Sequence, residues 1–363
     1  MRFAHLARKF PQPPFYKGGL ESRLLPMGEA GKSPLRKEGL SGISTKCPHL
    51  GNWRPALIAA ALLLVASGCS SPAPAPASTR SPEAPGGMSG PPGGPEYSAI
   101  LVTSDLAVGA NRVAFGIIDR DNMPVRTPQA QVQSVYLPPG QQDGQVRQTA
   151  TARFVQWPTG DRGVYVTTLD FDRPGEGTEA QPGLWGLQIT TTTSDGKPVQ
   201  AQTAMIVRQE PSTPAIGSPA PRSVTPTTKN VDDLATITTD NPPDPDLYQL
   251  SIHEALEAGK PLVVVFATPA FCVSATCGPQ VEMVSQVKER HLGETNFIHV
   301  EVFENPHLIQ GGRPTGGLAP AVEEWGLLTE PWTFVIDREG KVHAKFEQFT
   351  PAEEIEQALL EVL

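Results

Sequence analysis

Basic charge is scarce over most of this chain. The sequence has 363 residues, with 29 Lys or Arg against 38 Asp or Glu and a formal net charge of −9. Residues 1–68 hold ten of the basic side chains and only three acidic ones, so the rest carries a net −16. A working part this acidic excludes nucleic acid as a partner, because that binding rests on neutralising phosphates with Lys and Arg. Cysteine is also rare: Cys47, Cys69, Cys272 and Cys277 are the whole set. Residues 97–209 contain neither cysteine nor histidine, which leaves that region without side chains for a metal or nucleophile site. What the chain has in excess is 39 prolines and 34 glycines, too many for one compact fold, so linkers between separate domains are expected.

The stretch "NWRPALIAAALLLVASGCSS" reads as an export signal. Arg54 and the upstream basic residues form the positive flank, and the apolar core from Pro55 to Val65 is too short to span a bilayer. Its ending, Ala66-Ser67-Gly68-Cys69, resembles the bacterial lipobox, in which the cysteine is lipidated and becomes the mature N-terminus. That resemblance implies that Cys69 anchors the chain to the lipid bilayer on the extracytoplasmic side of the cell membrane. The competing reading is a short buried helix with an incidental cysteine. Residues 1–50 lack periodicity and read as text upstream of the true start, so Cys47 is given no role. Outside the cytoplasm disulfides persist, and Cys272 and Cys277 become the only two free thiols.

Residues 69–96 follow as a Pro/Gly-rich spacer that cannot build a core. From 97 to 209 short β-prone runs such as "RVAFGIID", "GVYVTTLDF" and "LWGLQITTTT" alternate with turn residues. Seven such runs suggest an all-β sandwich, similar in size and spacing to immunoglobulin-like domains, with Phe115 and Trp185 as core residues and the role of a spacer or docking module. Residues 210–246, with eight prolines, read as a second linker. The C-terminal part, 247–363, alternates strand and helix. "PLVVVFAT" is a strand buried on both faces, Pro279 to His291 a helix, "WTFVIDREG" and "KVHAKFEQF" a hairpin, and "TPAEEIEQALLEVL" a closing helix with Thr350 as N-cap and Glu353 completing a capping box. The expected fold class is thus multidomain, a β-sandwich followed by a mixed α/β domain.

The order of elements over residues 248–363, with a cysteine pair after the first strong strand, resembles the thioredoxin fold. Cys277-Gly278-Pro279 repeats the Cys-Gly-Pro of the thioredoxin active site, and "IGSPAPRSV" resembles the segment before many thioredoxin-fold domains. Glu330-Pro331-Trp332 stands where that family places a cis-proline opposite its active-site cysteine. The resemblance implies Cys272 and Cys277 as the redox pair, with Phe271, Gly278, Pro279, Glu330, Pro331 and Trp332 contacting substrate and Pro331 offering main-chain groups. The spacing departs from the family, with four intervening residues instead of two. Five residues on a helix turn about 500° and rise about 7.5 Å, whereas a disulfide needs Cα atoms roughly 4.4–6.8 Å apart. Cys272 is therefore expected in a loop, with "VSAT" folded back and Pro279 at the first helical position. Which cysteine attacks stays open: Cys272 matches by position after the strand, Cys277 by its neighbours, with Gln280 then in the usual resolving position.

Three readings of the pair follow. In the first, it cycles between dithiol and disulfide and exchanges with extracytoplasmic protein thiols or disulfides; a reductase would also need a membrane electron donor, and no cofactor is expected. In the second, it is a structural disulfide in a tethered binding module. In the third, it binds copper as in the Sco family, whose histidine before the "TFVID" strand is absent here; His299 and His343 lie in predicted strands. A peroxidase-like role lacks its threonine, since Pro269 and Ser274 stand three residues before the cysteines. The Gly-rich "GGRPTGG" lacks the Lys-Ser/Thr ending of a phosphate loop. It reads as a flexible loop whose Arg313 could meet a partner.

Overall fold

The computed structural model describes residues 95–141, 143–175, 177–178, 181–309 and 316–363. The leader with Cys47 and Cys69, most of the first spacer, and Arg313 lie outside the described residues. Strands β1 (Tyr97–Leu101), β2 (Gly109–Asp119), β3 (Gln129–Leu137), β4 (Gln145–Gln156), β5 (Gly163–Phe171), β8 (Leu184–Thr192) and β9 (Pro198–Met205) pair antiparallel in the order β1-β2-β5-β4-β3-β8-β9. A two-residue pair, β6 (Gly177–Thr178) and β7 (Gln181–Pro182), stands apart. The expectation of two separately paired sheets is not what forms. The long β4 bonds to β3 through Gln145–Arg153 and then to β5 through Arg153–Gln156, which joins everything into one sheet. The two edge strands run close together, and past them the Val108 N–H donates to Arg208 O at 3.0 Å. The sheet is nearly a barrel.

Its inside is aromatic. Phe115, Tyr165, Phe171 and Trp185 are all essentially buried, with Phe115 stacked on Tyr165 and Phe171 edge-on to Trp185. Such pairs add about 0.5–1.5 kcal/mol each beyond area burial. The Tyr165 hydroxyl is not orphaned: it accepts from the Thr127 N–H and donates to Val125 O.

Residues 210–246 are not a free linker. The Gly217 N–H donates to Val342 O, Val342 N–H to Ser218 O and Ala220 N–H to Gly340 O, so the segment runs along the following domain as a partial edge strand. Pro219 sits between the donors, where its missing N–H costs nothing. Then come α1 (Ile252–Glu257), β10 (Leu262–Ala267), α2 (Cys277–His291), β11 (Asn296–Glu301), α3 (Pro320–Glu324), β12 (Trp332–Ile336), β13 (Val342–Glu347) and α4 (Ala352–Leu360). The sheet order is β11-β10-β12-β13, with β10 and β11 parallel and the other pairs antiparallel. β10 is buried at every position: Val264 and Phe266 pack towards α1 and α3, while Val263, Val265 and Ala267 pack towards α2 and α4. This is the strand–helix–strand, hairpin and closing-helix arrangement expected of a thioredoxin-like domain. The predicted capping box at Thr350 does not form. Pro351 is the N-cap of α4, and the box is built at α1 by Ser251 and Glu254 instead. Thr350 is diverted because its N–H donates to Gln280 Oε1 at 2.7 Å.

The two regions meet through polar side chains and one small apolar cluster. Buried Glu347 accepts from the Ser104 N–H at 2.7 Å and the Ser104 hydroxyl at 2.6 Å. Glu354 is gripped by Arg112 and Arg153. Asp105 accepts from the Thr213 hydroxyl and the Ser212 N–H. Phe349 and Met283, the latter from α2, pack on Ala114, Val155, Val164 and Val166.

Candidate functional site

β10 ends at Ala267, and the chain needs nine residues to reach α2. Within that loop the Phe271 N–H donates to Thr268 O, and the Ala275 N–H donates back to Cys272 O at 3.2 Å. Ala275 takes the left-handed conformation, φ 59°, uncommon for a residue with a Cβ. That turn folds the chain back and brings the Cα atoms of Cys272 and Cys277 to 5.9 Å, and the two are joined by a disulfide. The fold-back expected of "VSAT" is present, but α2 starts at Cys277 itself, two residues before the proline expected to open it. Helix ends are often blurred by a residue or two.

The two cysteines differ in exposure. Cys277 is completely buried at the positive end of a 15-residue helix, where a thiolate is favoured. Cys272 is half-buried next to Val273, which is 99% exposed, and its sulfur lies 3.2 Å from the Ser274 hydroxyl. Gln280, a candidate substitute for a resolving cysteine by spacing, is a buried cross-link. It donates to the Thr333 hydroxyl at 3.0 Å and accepts from the Thr350 N–H. A Cβ on Gly278 would meet only Pro269 at 3.9 Å, so space does not demand the glycine.

Glu330-Pro331 is a cis peptide, and the loop carrying it closes over the cysteines. The Glu330 Oε2 lies 3.5 Å from Cys277 Sγ. Burial pushes this carboxyl up to about 7, and the charge of Glu301 pushes the same way, against the opposing pull of Thr268. Glu330 therefore does not merely line a substrate surface; its carboxyl faces the buried sulfur. Pro331 has no N–H, and its carbonyl accepts from the Gln348 N–H at 2.8 Å, while the Glu330 carbonyl accepts from Gln348 Nε2. Trp332 is paired in register with Phe266, is 2% exposed, and stacks on Phe334. It lies on the sheet face away from Cys277 and cannot touch a partner. Phe271 and Pro279 are half-buried beside the pair.

Sequence reasoning passed over Thr268 and Glu301. The one available signal was an acid within the mainly apolar strand "NFIHVEV", two residues from His299. Burial raises the Glu301 carboxyl, although Thr268 and Thr239 oppose the shift. His299 is held neutral, driven by burial down to about 4, with its Nδ1 paired to the Tyr248 hydroxyl at 2.6 Å and its Nε2 to Ala267 O at 3.0 Å. The ligand atoms of Cys272, Cys277 and Glu330 lie within 4.8 Å of one another. With the sulfurs bonded to each other, only the carboxylate is left as an ordinary donor for a cation.

No family model matches the sequence, and no curated protein does. Among solved structures, the chain is similar to one assigned as a thiol:disulfide interchange protein, DsbE, of Chlorobium tepidum, at 16% identity and a TM-score of 0.31, covering 41% of this chain and 99% of that one. It is also similar to a thiol:disulfide interchange protein of the thioredoxin family from Chlorobium tepidum TLS, at 15% identity and a TM-score of 0.24, covering 48% of this chain and 92% of that one. Both likenesses are low in identity and in TM-score.

Proposed function

We propose that this chain is a thiol–disulfide exchange protein in which Cys272 attacks and Cys277 resolves. The observation that carries this reading is the unequal burial of a bonded cysteine pair beside the half-buried carboxyl of Glu330. A partner disulfide can reach half-buried Cys272 next to exposed Val273, but not Cys277. In the exchange the Cys272 thiolate attacks a partner sulfur and forms a mixed disulfide, and the partner's other sulfur leaves as a thiolate. Cys277 then loses its proton to the carboxylate of Glu330 and attacks Cys272 Sγ. The Cys272–Cys277 bond forms and the partner leaves reduced. The partner gains two electrons and the dithiol loses two. The carboxyl's elevation to about 7 suits a group that both takes and returns a proton near neutral pH.

The setting is part of the same proposal. The lipobox-like Ala66-Ser67-Gly68-Cys69 supports an acylated Cys69 and work on extracytoplasmic thiols or disulfides. Residues 97–209 are an immunoglobulin-like module, supported by the order in which their seven strands pair, and residues 247–363 the catalytic one. The copper reading has little to draw on: among the described residues the donor cluster at the cysteines, Cys272, Cys277 and Glu330, holds no histidine, and both ring nitrogens of His299 are engaged, by Tyr248 and Ala267. The test is to react each reduced single-cysteine variant with oxidised glutathione. Cys277→Ser should hold a stable mixed disulfide on Cys272, and Cys272→Ser should form little. Equal labelling of both variants, or none, would overturn the assignment.

A further inference from the structure

Five buried side-chain polar atoms among the described residues lack a hydrogen-bond partner, and two of them belong to Thr268 and Glu301. Buried polar atoms are nearly always paired, and each exception asks for a reason. Both lie beside the cysteine site. Thr268 is fully buried. It follows Ala267, which pairs with Glu301, and lies just past the Phe266–Trp332 pairing towards Glu330; its hydroxyl acts on the carboxyls of both Glu330 and Glu301 without closing a well-aligned bond to either. Glu301 is 5% exposed. Its Oε2 accepts from the Thr239 N–H at 2.7 Å and the Thr239 hydroxyl at 2.9 Å, while Oε1 is bare. Glu301 also lines a cleft of about 180 Å³ beside the edge strand β11, together with Tyr248, His299 and Glu304.

We propose that Thr268 and Glu301 extend Glu330 into a proton path from Cys277 through Glu330, the Thr268 hydroxyl and Glu301 to the cleft. The proposal rests on the exchange reading above. Cys277 is sealed from water, so the proton it sheds on resolving a mixed disulfide needs a route out. Glu330 takes that proton from the thiol. The Thr268 hydroxyl accepts it from Glu330 while passing its own proton to Glu301, which releases one to the cleft. No atom is gained or lost along the path. When the protein's disulfide is opened, the same groups run in reverse and return a proton to the leaving Cys277 sulfur. The remaining ionisable groups around Glu301 are few. Tyr248 and His299 are bonded to each other, Asp240 lies on the Tyr248 side, and Glu304 stands in the cleft.

The test uses the full chain, reduced and mixed with oxidised glutathione, with acid quenching and mass spectrometry to follow closure of the mixed disulfide across pH. Thr268→Val and Glu301→Gln should each slow closure roughly tenfold or more and displace its pH profile. Thr268→Ser, which keeps the hydroxyl, should close at the wild-type rate and guards against a packing defect. Wild-type rates and profiles in Thr268→Val and Glu301→Gln, with Glu330→Gln slow, would overturn the path and leave Glu330 as the base. If Glu330→Gln also closes normally, the base assignment falls and the path with it. If no mixed disulfide forms on Cys272, the exchange reading fails first.

Discussion

The two regions of this molecule differ in the kind of polar group they bury. The near-barrel keeps an aromatic core and buries mainly hydroxyls, some settled locally, as Tyr165 is with Thr127 and Val125, and one, that of Ser134, without a partner. The α/β region instead buries Glu301, Gln280, His299 and Cys277 near one end of its sheet, next to the partly buried Glu330. Buried ionisable groups cost stability unless paired, and here their pairing is incomplete. This contrast suits the proposed division, with the exchange chemistry in the α/β half. Glu347 joins the halves: it accepts from Ser104 of the barrel and from Thr329, which precedes the cis-proline loop.

Changes at the cysteines should separate the regions most sharply. Cys272→Ser or Cys277→Ser should abolish disulfide turnover with dithiothreitol and glutathione, while near-ultraviolet circular dichroism of the aromatic core stays native. Next, Phe115→Ala in the barrel should cost about 3–5 kcal/mol in urea unfolding yet leave the exchange rate of the folded protein unchanged. A slowed rate would show the barrel taking part in the chemistry. Glu347→Ala strips the acceptor from Ser104 and Thr329 and should cost about 1–3 kcal/mol per donor left buried and unpaired. Unlike Phe115→Ala, it should also slow exchange by loosening the cis-proline loop.

A smaller effect is the pH dependence due to Glu330. Its folded carboxyl titrates at about 7 against an ordinary value of 4.5, so the folded state binds that proton more tightly. The contribution is fully present below about 4.5 and is lost as pH rises through about 7. His299, lowered from 6.5 to about 4, acts in the opposite sense, so the useful quantity is a difference. The stability of Glu330→Gln relative to wild type should rise steadily across that window and level off above it. A flat difference would mean that Glu330 is solvated. Smallest of all, Arg153→Ala at the half-exposed ion pair with Glu354 should cost at most about 1 kcal/mol.

Much of this organisation was legible in the sequence because it rests on local patterns. The β-branched run of β10 and the Gly/Pro/Asp turns of the barrel announce themselves within a few residues, and the cis-proline after Glu330 was expected from the resemblance to the thioredoxin fold. The missed features depend on distant partners. Nothing in the alternation along "QVRQTATARFVQ" says that β4 changes neighbours at Arg153. The prolines of residues 210–246 look like a linker until Val342 and Gly340 supply an edge to lie on. Thr350 reads as a cap until Gln280, seventy residues away, claims its N–H. Trp332 looked like a substrate contact from its place beside Pro331, but strand alternation turns it to the Phe266 face. Glu301 and Thr268 meet Glu330 only through the folded sheet.

The central claim is that Cys272 and Cys277 form a working couple rather than a staple. It is tested most directly by equilibrating the protein with glutathione and dithiothreitol buffers and counting free thiols by alkylation and mass. The account predicts a reversible two-electron transition at a potential that physiological dithiols can reach. A pair that stays oxidised below about −300 mV, as structural disulfides do, would contradict it.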